Sequence, residues 1–325
     1  MAKAAPQSNL KSETNHWVER VRSGDVRSLA RAISAIENSA PESTELLKAL
    51  FPYSGRARIA GLTGAPGSGK STLVDQLARE YRKQNKTVGI IAVDPTSPYT
   101  GGAILGDRIR MQTHHADSGI YIRSMATRGF LGGLARTTAD VATVLDASGK
   151  DLVLVETVGV GQDEIDIVRL ADITIVILVP GMGDDVQTIK AGIMEIADVF
   201  VINKSDREGA ERVEREIRAM QTLAIRKDAW VPPIVKTVAT EGKGVAELAA
   251  AIAEYEKFLQ REGLQLKKKV SNWQERLIEM LREVLLERVL REKLSPEQIA
   301  AYAQEVAEHR RDPYTLVQEL ADGKN

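Results

Sequence analysis

RIAGLTGAPGSGKSTLVDQLA, residues 58–78, changes character twice. Ile59–Thr63 is a short, β-rich apolar run, whereas Leu73, Val74, Leu77, Ala78 and then Tyr81 recur at helical spacing. Between them Gly64, Ala65, Pro66, Gly67, Ser68, Gly69, Lys70 and Ser71 fit the pattern G-x-x-x-x-G-K-[ST]. Glycines there let successive backbone N–H groups curl around a phosphate at the positive end of the following helix. Lys70 is then a point charge for the β- and γ-phosphates, the Ser71 hydroxyl is a magnesium ligand, and Thr72 is a further nucleotide-binding residue. Strand, loop and helix in that order make this a nucleotide-binding loop rather than an ordinary Gly/Ser turn.

Outward from this loop, similar β-rich runs occur at Val88–Val93, Ile120–Arg123, Leu152–Val155, Ile173–Val179, Val199–Asn203 and Ile234–Val238. They are nearly continuous in apolar residues, as expected of strands covered on both faces. Helical patterns fill several of the gaps. The expectation is an α/β P-loop NTPase fold, a mainly parallel sheet flanked by helices. Upstream, residues 1–13 are polar and expected to be disordered. Trp17, Val21, Leu29, Ile33 and Ile36 then mark two or three helices, interrupted at Ser23-Gly24-Asp25, before a linker at residues 51–55. Beyond residue 260 only helical patterns remain. Val270, Trp273, Leu277, Met280, Leu281, Val284, Leu285 and Val289 form a stripe, Ser295-Pro296-Glu297-Gln298 is a capping box, and Asp312-Pro313 opens a last short helix. The expected division is 1–55 as an N-terminal helical extension, 56–260 as the nucleotide domain and 261–325 as a helical arm.

Composition removes several function classes. The chain has 325 residues and a formal net charge of −1, so no global field draws it to nucleic acid or an anionic membrane. Aromatic residues make up 4%, too few for a base-stacking platform. There is no cysteine, which excludes disulfides, thiolate metal sites and cysteine nucleophiles and fits a reducing compartment. No apolar run reaches the length of a membrane span and no signal-peptide core opens the chain, so the expected location is cytoplasmic.

Two further motifs give the nucleotide its identity and its metal. Asn203-Lys204-Ser205-Asp206 ends the run VFVIN. A carboxylate there accepts from guanine N1–H and the 2-amino group, an arrangement adenine does not offer, so GTP is favoured over ATP. Val238-Ala239-Thr240, after the last strand, offers a backbone N–H to guanine O6. Glu156 ends the buried run LVLV, where an acid is costly unless a cation meets it, and Gly159 brings an N–H to the γ-phosphate. Asp94, ending IIAVD, and Asp107, in LGDR, are further carboxylates for a magnesium shell shared with Ser71 and Glu156. Lys70, Asp94, Asp107 and Glu156 are the expected catalytic set. His114-His115 lacks the neighbours of a metal site.

LTGAPGSGKSTL, VDPTSPYTGGAILGDRIRM, IRSMATRGFLGGLAR, ETVGVGQDE, VPGMGDDVQTIKAGIMEIAD and NKSD, in this order, resemble the MeaB/ArgK-type G-protein chaperones of adenosylcobalamin-dependent methylmalonyl-CoA mutase, the methylmalonic aciduria type A protein family. The likeness runs through residues 15–260 and more loosely into the arm. It implies a dimeric, magnesium-dependent GTPase of the signal-recognition-particle/MinD-like class. Such a protein gates loading of adenosylcobalamin, protects or reactivates the mutase, and is accelerated by it. Switch segments would be Asp94–Arg110, Glu156–Glu164 and Gly181–Gly192. No glutamine follows Gly159, so intrinsic hydrolysis is expected to be slow, with Gln162, Gln187, Lys190, Arg108 and Arg110 available to complete the site and Arg110 also a nucleotide ligand.

None of the four histidines stands in a D-x-H-x-x-G context, so no cobalamin is expected to be held through histidine. The apolar stripe of the arm fits either a helix hairpin on its own sheet or a homodimer seam, and the dimer is favoured. The client that the resemblance implies is methylmalonyl-CoA mutase or a related acyl-CoA mutase such as isobutyryl-CoA mutase. Rival readings are a nickel-insertion GTPase, against which the lack of cysteine speaks, an ATP-dependent kinase linked to amino-acid transport, which Asp206 opposes, and a passive nucleotide-bound scaffold.

Overall fold

A computed structural model describes residues 7–94, 117–126, 133–157, 170–181, 197–223 and 228–322. The chain divides into two compact units, Met1–Lys269 and Val270–Asn325.

The first unit is built on a seven-stranded sheet in the order β3-β2-β4-β1-β5-β6-β7. The strands are β1 (Arg58–Gly64), β2 (Val88–Asp94), β3 (Ile120–Ala126), β4 (Leu152–Glu156), β5 (Ile173–Leu178), β6 (Val199–Asn203) and β7 (Ile234–Thr237), and every pairing is parallel. β4, β5 and β6 are buried at every position, which is why their sequences do not alternate. The chain leaves β1 towards β2 on one side and leaves β4 towards β5 on the other. That reversal opens a crevice at the C-terminal ends of β1 and β4, the place where open α/β sheets bind ligands. The register sets Leu62 opposite Glu156 and Ala92 opposite Glu156, so the acid ends β4 between its two neighbours.

Alternate strand residues feed two different cores. On one face Leu62, Ile90, Leu154, Ile175 and Val201 pack with α4 (Lys70–Lys83) and α7 (Val245–Arg261). Leu73, Val74 and Leu77 of α4 are fully buried there, each worth about 1.5–3 kcal/mol of transfer free energy. On the other face Ile91, Val153 and Val155 pack with α5 (Gly133–Ala147) and with the N-terminal helices α1 (Gln7–Arg22), α2 (Val26–Glu37) and α3 (Ser43–Leu50). Asp25 caps α2 by accepting from Ser28 N at 2.8 Å, at the interruption read from the sequence. α1 begins at Gln7, inside the segment expected to be disordered; helix propagates readily from a docked turn, here the one carrying buried Val18 and Val21. The expected linker contains a 3₁₀ turn, Phe51–Tyr53. α6 (Ala210–Leu223) covers Val176, Leu178, Phe200 and Ile202.

Three aspartates fix the opposite, N-terminal rim of the sheet. Asp146 accepts from the backbone N–H groups of Gly55, Arg56 (3.1 Å) and Ala57 (2.8 Å) just before β1. Asp172 Oδ2 accepts from Ile59 N at 3.0 Å, and burial pushes its carboxyl above the ordinary value. Asp198 Oδ2 accepts from Thr174 N at 2.9 Å and from Lys268 Nζ at 2.8 Å. With the starts of β1 and β5 held so, the other rim is free to carry loops.

The second unit takes in most of α8 (Gln265–Lys293), together with α9 (Pro296–Ala307) and α10 (Pro313–Asp322). The capping box at Ser295 is formed in both directions, Gln298 N to Ser295 Oγ and Ser295 N to Gln298 Oε1. Leu277, Ile278, Leu281, Val284, Leu285 and Leu286 of α8 are all more than half exposed, so apolar surface extends beyond the stripe read from the sequence. Among the described residues no helix is long and apolar enough to cross a membrane.

Candidate nucleotide site

The loop from β1 into α4 takes the shape its glycines permit. Gly69 adopts φ +90°, and a Cβ there would lie 2.4 Å from Asn203 Nδ2. At Gly64 a Cβ would lie 2.3 Å from the backbone oxygen of Ile177 on β5. At Gly64 the contact is with backbone and excludes a side chain on distance alone, whereas at Gly69 the Asn203 amide would have to shift. Ser68 N donates to Ala65 O at 3.1 Å, tightening the turn that contains Pro66 and Gly67. α4 starts at Lys70 with no side-chain cap on its first turn, an arrangement that leaves a positive helix end for an anion. Lys70 is buried, and its ammonium donates to Gly64 O at 2.7 Å and Ala65 O at 3.1 Å. Thr72 stands half-buried in the same turn.

Glu156 is buried at the end of β4, and its Oε1 accepts from the Ser71 hydroxyl at 2.5 Å. Residues 85 positions apart thus place an alcohol and a carboxylate oxygen side by side under the loop. That is an all-oxygen donor pair suited to a hard divalent cation. Asp94 ends β2, two residues beyond the partner of Glu156 in the register; its description stops at the backbone. Asp107, Arg108, Arg110, His114, His115, Gly159, Gln162, Gln187 and Lys190 lie outside the described residues, as do most of the three expected switch segments. Among the described residues no group of three or more His, Cys, Asp or Glu side chains is placed so as to hold a metal ion.

The NKSD motif reaches the same cleft from β6. Asn203 is buried, and its Nδ2 donates to Ser68 O at 2.8 Å while Oδ1 accepts from Thr237 Oγ1 at 3.0 Å and Ala239 N at 3.1 Å. Lys204, in a left-handed backbone conformation (φ +55°), donates to Gly67 O at 2.8 Å. Asp206 is exposed in the turn that follows, where Ser205 N donates to Thr237 O at 3.0 Å. Val238 N donates to Lys243 O at 3.1 Å, closing the next loop as an isolated antiparallel bridge, with Ala239 buried and Thr240 exposed inside it. Lys243 at the rim is held protonated chiefly by Glu241, with the charge of Asp206 adding.

Thr237, Thr63 and Thr157 escaped the sequence reading. All three are buried; Thr157 continues the ladder to Leu62 O at 3.1 Å and its hydroxyl approaches that of Thr63 at 3.3 Å. For Thr237 the available signal was a threonine as the last residue of a strand beside a motif strand.

Sheet order, glycine loop and lysine together define a P-loop nucleoside-triphosphatase fold. The family profile described as methylmalonyl Co-A mutase-associated GTPase MeaB matches residues 29–294, and the chain belongs to this family of GTPases. A protein of Pyrococcus abyssi described as a GTPase is 55% identical over 249 residues, covering 76% of this chain and 77% of its own. The mouse methylmalonic aciduria type A homolog, described as mitochondrial, is 34% identical over 272 residues, covering 76% of this chain and 65% of its own. Among solved structures, an LAO/AO transport system kinase superposes with a TM-score of 0.71 at 26% identity, covering 98% of this chain and 99% of that one.

Proposed function

We propose that this GTPase binds GTP and GDP with magnesium at the C-terminal rim of the sheet, and serves as a chaperone that gates adenosylcobalamin loading into methylmalonyl-CoA mutase or a related acyl-CoA mutase and protects or reactivates it. Lys70 turns from the loop carbonyls to the β- and γ-phosphates, and the loop from Gly64 to Thr72 wraps them. Ser71 and Glu156 would hold the magnesium, with Asp94 and Asp107 as further carboxylates for its shell. Magnesium, when bound, offsets charge on the phosphate oxygens. Asp206 accepts from the guanine edge, Lys204 flanks the base, Gly159 would bring an N–H to the γ-phosphate, and Arg110 would be a further nucleotide ligand.

The observation that carries the reading is the bond from Asn203 Nδ2 to Ser68 O. It joins the phosphate loop to the NKSD motif across 135 positions of sequence, so a single ligand with phosphates and a purine can touch both. The family description and the mouse relative's name support the mutase as client. The exposed Leu277, Leu281 and Leu285 of α8 support a homodimer, since each would gain about 1.5–3 kcal/mol on full burial. A chain without cysteine suits a reducing cytoplasm, and a net charge of −1 gives no purchase for nucleic acid or membrane.

The test is GTP turnover with and without added mutase, in the parent and in Lys70→Ala. The expected outcome is slow turnover that the mutase accelerates, and a loss of about a hundredfold or more in the variant. Turnover equal in parent and variant would overturn the site, and absence of any mutase effect would overturn the chaperone role. Light scattering should give twice 35.5 kDa; a 35.5 kDa species would defeat the dimer.

A further inference from the structure

We propose that Thr237 is a positioning residue for guanine recognition, acting through Asn203 and needed only when nucleotide is bound. The inference rests on the guanine reading above. Asn203 Oδ1 has two donors, the Thr237 hydroxyl at 3.0 Å and the Ala239 N–H at 3.1 Å, while Nδ2 donates to Ser68 O. Thr237 is fully buried and Asn203 is 2% exposed, so neither group can exchange a lost partner for bulk water. The amide also has little room to turn, because Nδ2 lies where a Cβ of Gly69 would stand.

Two N–H groups of the loop after β7 are held differently. Val238 N–H closes the loop on Lys243 O. Ala239 N–H rests on a side-chain oxygen that already has a second donor. It is therefore a donor the loop can release to a guanine carbonyl without stranding its former acceptor. Once it turns to the base, Asn203 Oδ1 is satisfied by Thr237 alone. Deleting the Thr237 hydroxyl then leaves a buried acceptor unfilled in the bound state, whereas the unliganded protein still has Ala239 N–H on that oxygen. The penalty falls on nucleotide affinity rather than on the fold. A buried acceptor left without a donor weakens binding by about tenfold.

The experiment compares the parent with Thr237→Val, Thr237→Ala and Thr237→Ser by calorimetric titration of GDP and of inorganic pyrophosphate in magnesium, with melting measured without nucleotide. The expected result is GDP binding about tenfold weaker in the valine and alanine variants and within about twofold of the parent in the serine variant. Pyrophosphate affinity stays unchanged throughout, and melting without nucleotide moves little. Thr237→Ala supplies the same deletion should valine not be accommodated. Parental GDP affinity in the variants lacking the hydroxyl overturns the inference. So does equal weakening of GDP and pyrophosphate, which would mark a general structural role. A parent that binds pyrophosphate but not GDP fails the guanine reading itself, a separately visible outcome.

Discussion

Replacing Gly69 by alanine sets a methyl group against the amide that joins the two halves of the cleft. The cost has two parts. Backbone at φ +90° is left-handed, and an L side chain there costs about 1–2 kcal/mol. The new Cβ would also stand 2.4 Å from Asn203 Nδ2, closer than any real contact, and that amide is held by three hydrogen bonds. If it yields, Ser68 O loses its donor, at about 1–3 kcal/mol for a buried acceptor. The sum is about 2–5 kcal/mol. Gly24→Ala separates the two parts: φ is +79° there, but nothing lies within 4 Å of the added Cβ, so only the backbone cost of about 1–2 kcal/mol remains. Urea unfolding and GDP titration of both variants make the assay. Gly69→Ala should lose more stability than Gly24→Ala and bind GDP at least about tenfold more weakly, with Gly24→Ala binding as the parent does. Equal stability losses together with parental GDP affinity in Gly69→Ala would refute the reasoning.

Asp206→Asn exchanges a carboxylate for an amide that donates, so binding should pass from guanosine to xanthosine diphosphate; competition with both nucleotides checks it, and retained guanosine preference would remove Asp206 from the base site. The pH dependence of folding tests the buried rim: burial raises the Asp172 carboxyl despite the Ile59 N–H and the nearby Lys269, Arg58 and Lys268. A raised folded value means that its contribution is complete below the unfolded value of 3.8 and is lost as pH rises through the folded one. Asp172→Asn does not ionise, so its melting temperature relative to the parent should climb as pH rises above the unfolded value of 3.8, and a flat difference would contradict the burial argument.

Much of the architecture is legible in the sequence because the sheet is covered on both faces. Runs such as IIAV, LVLV and VFVI have no solvent-facing positions to fill, and they map onto β2, β4 and β6. Helix starts are legible where one side chain does the capping, as at Asp25 and Ser295. The phosphate loop is legible because a backbone contact at Gly64, and a left-handed backbone crowded by the Asn203 amide at Gly69, both call for glycine. What stays hidden depends on distant partners. Asp146 reads as one more helical acid until the fold lays three N–H groups from residues 55–57 against it. Thr237 reads as a strand-end threonine until β6 and β7 pair in register with Asn203 opposite. Neither has a local pattern, because donor and acceptor meet only through tertiary pairing.

The purine preference of the cleft tests the central claim most directly. Titrating the parent with GDP and with ADP in magnesium should give one GDP site per chain and ADP binding at least about a hundredfold weaker, since the contact proposed for Asp206 needs two donors that guanine alone offers. Equal affinity for the two nucleotides, or tighter binding of ADP, would contradict the account.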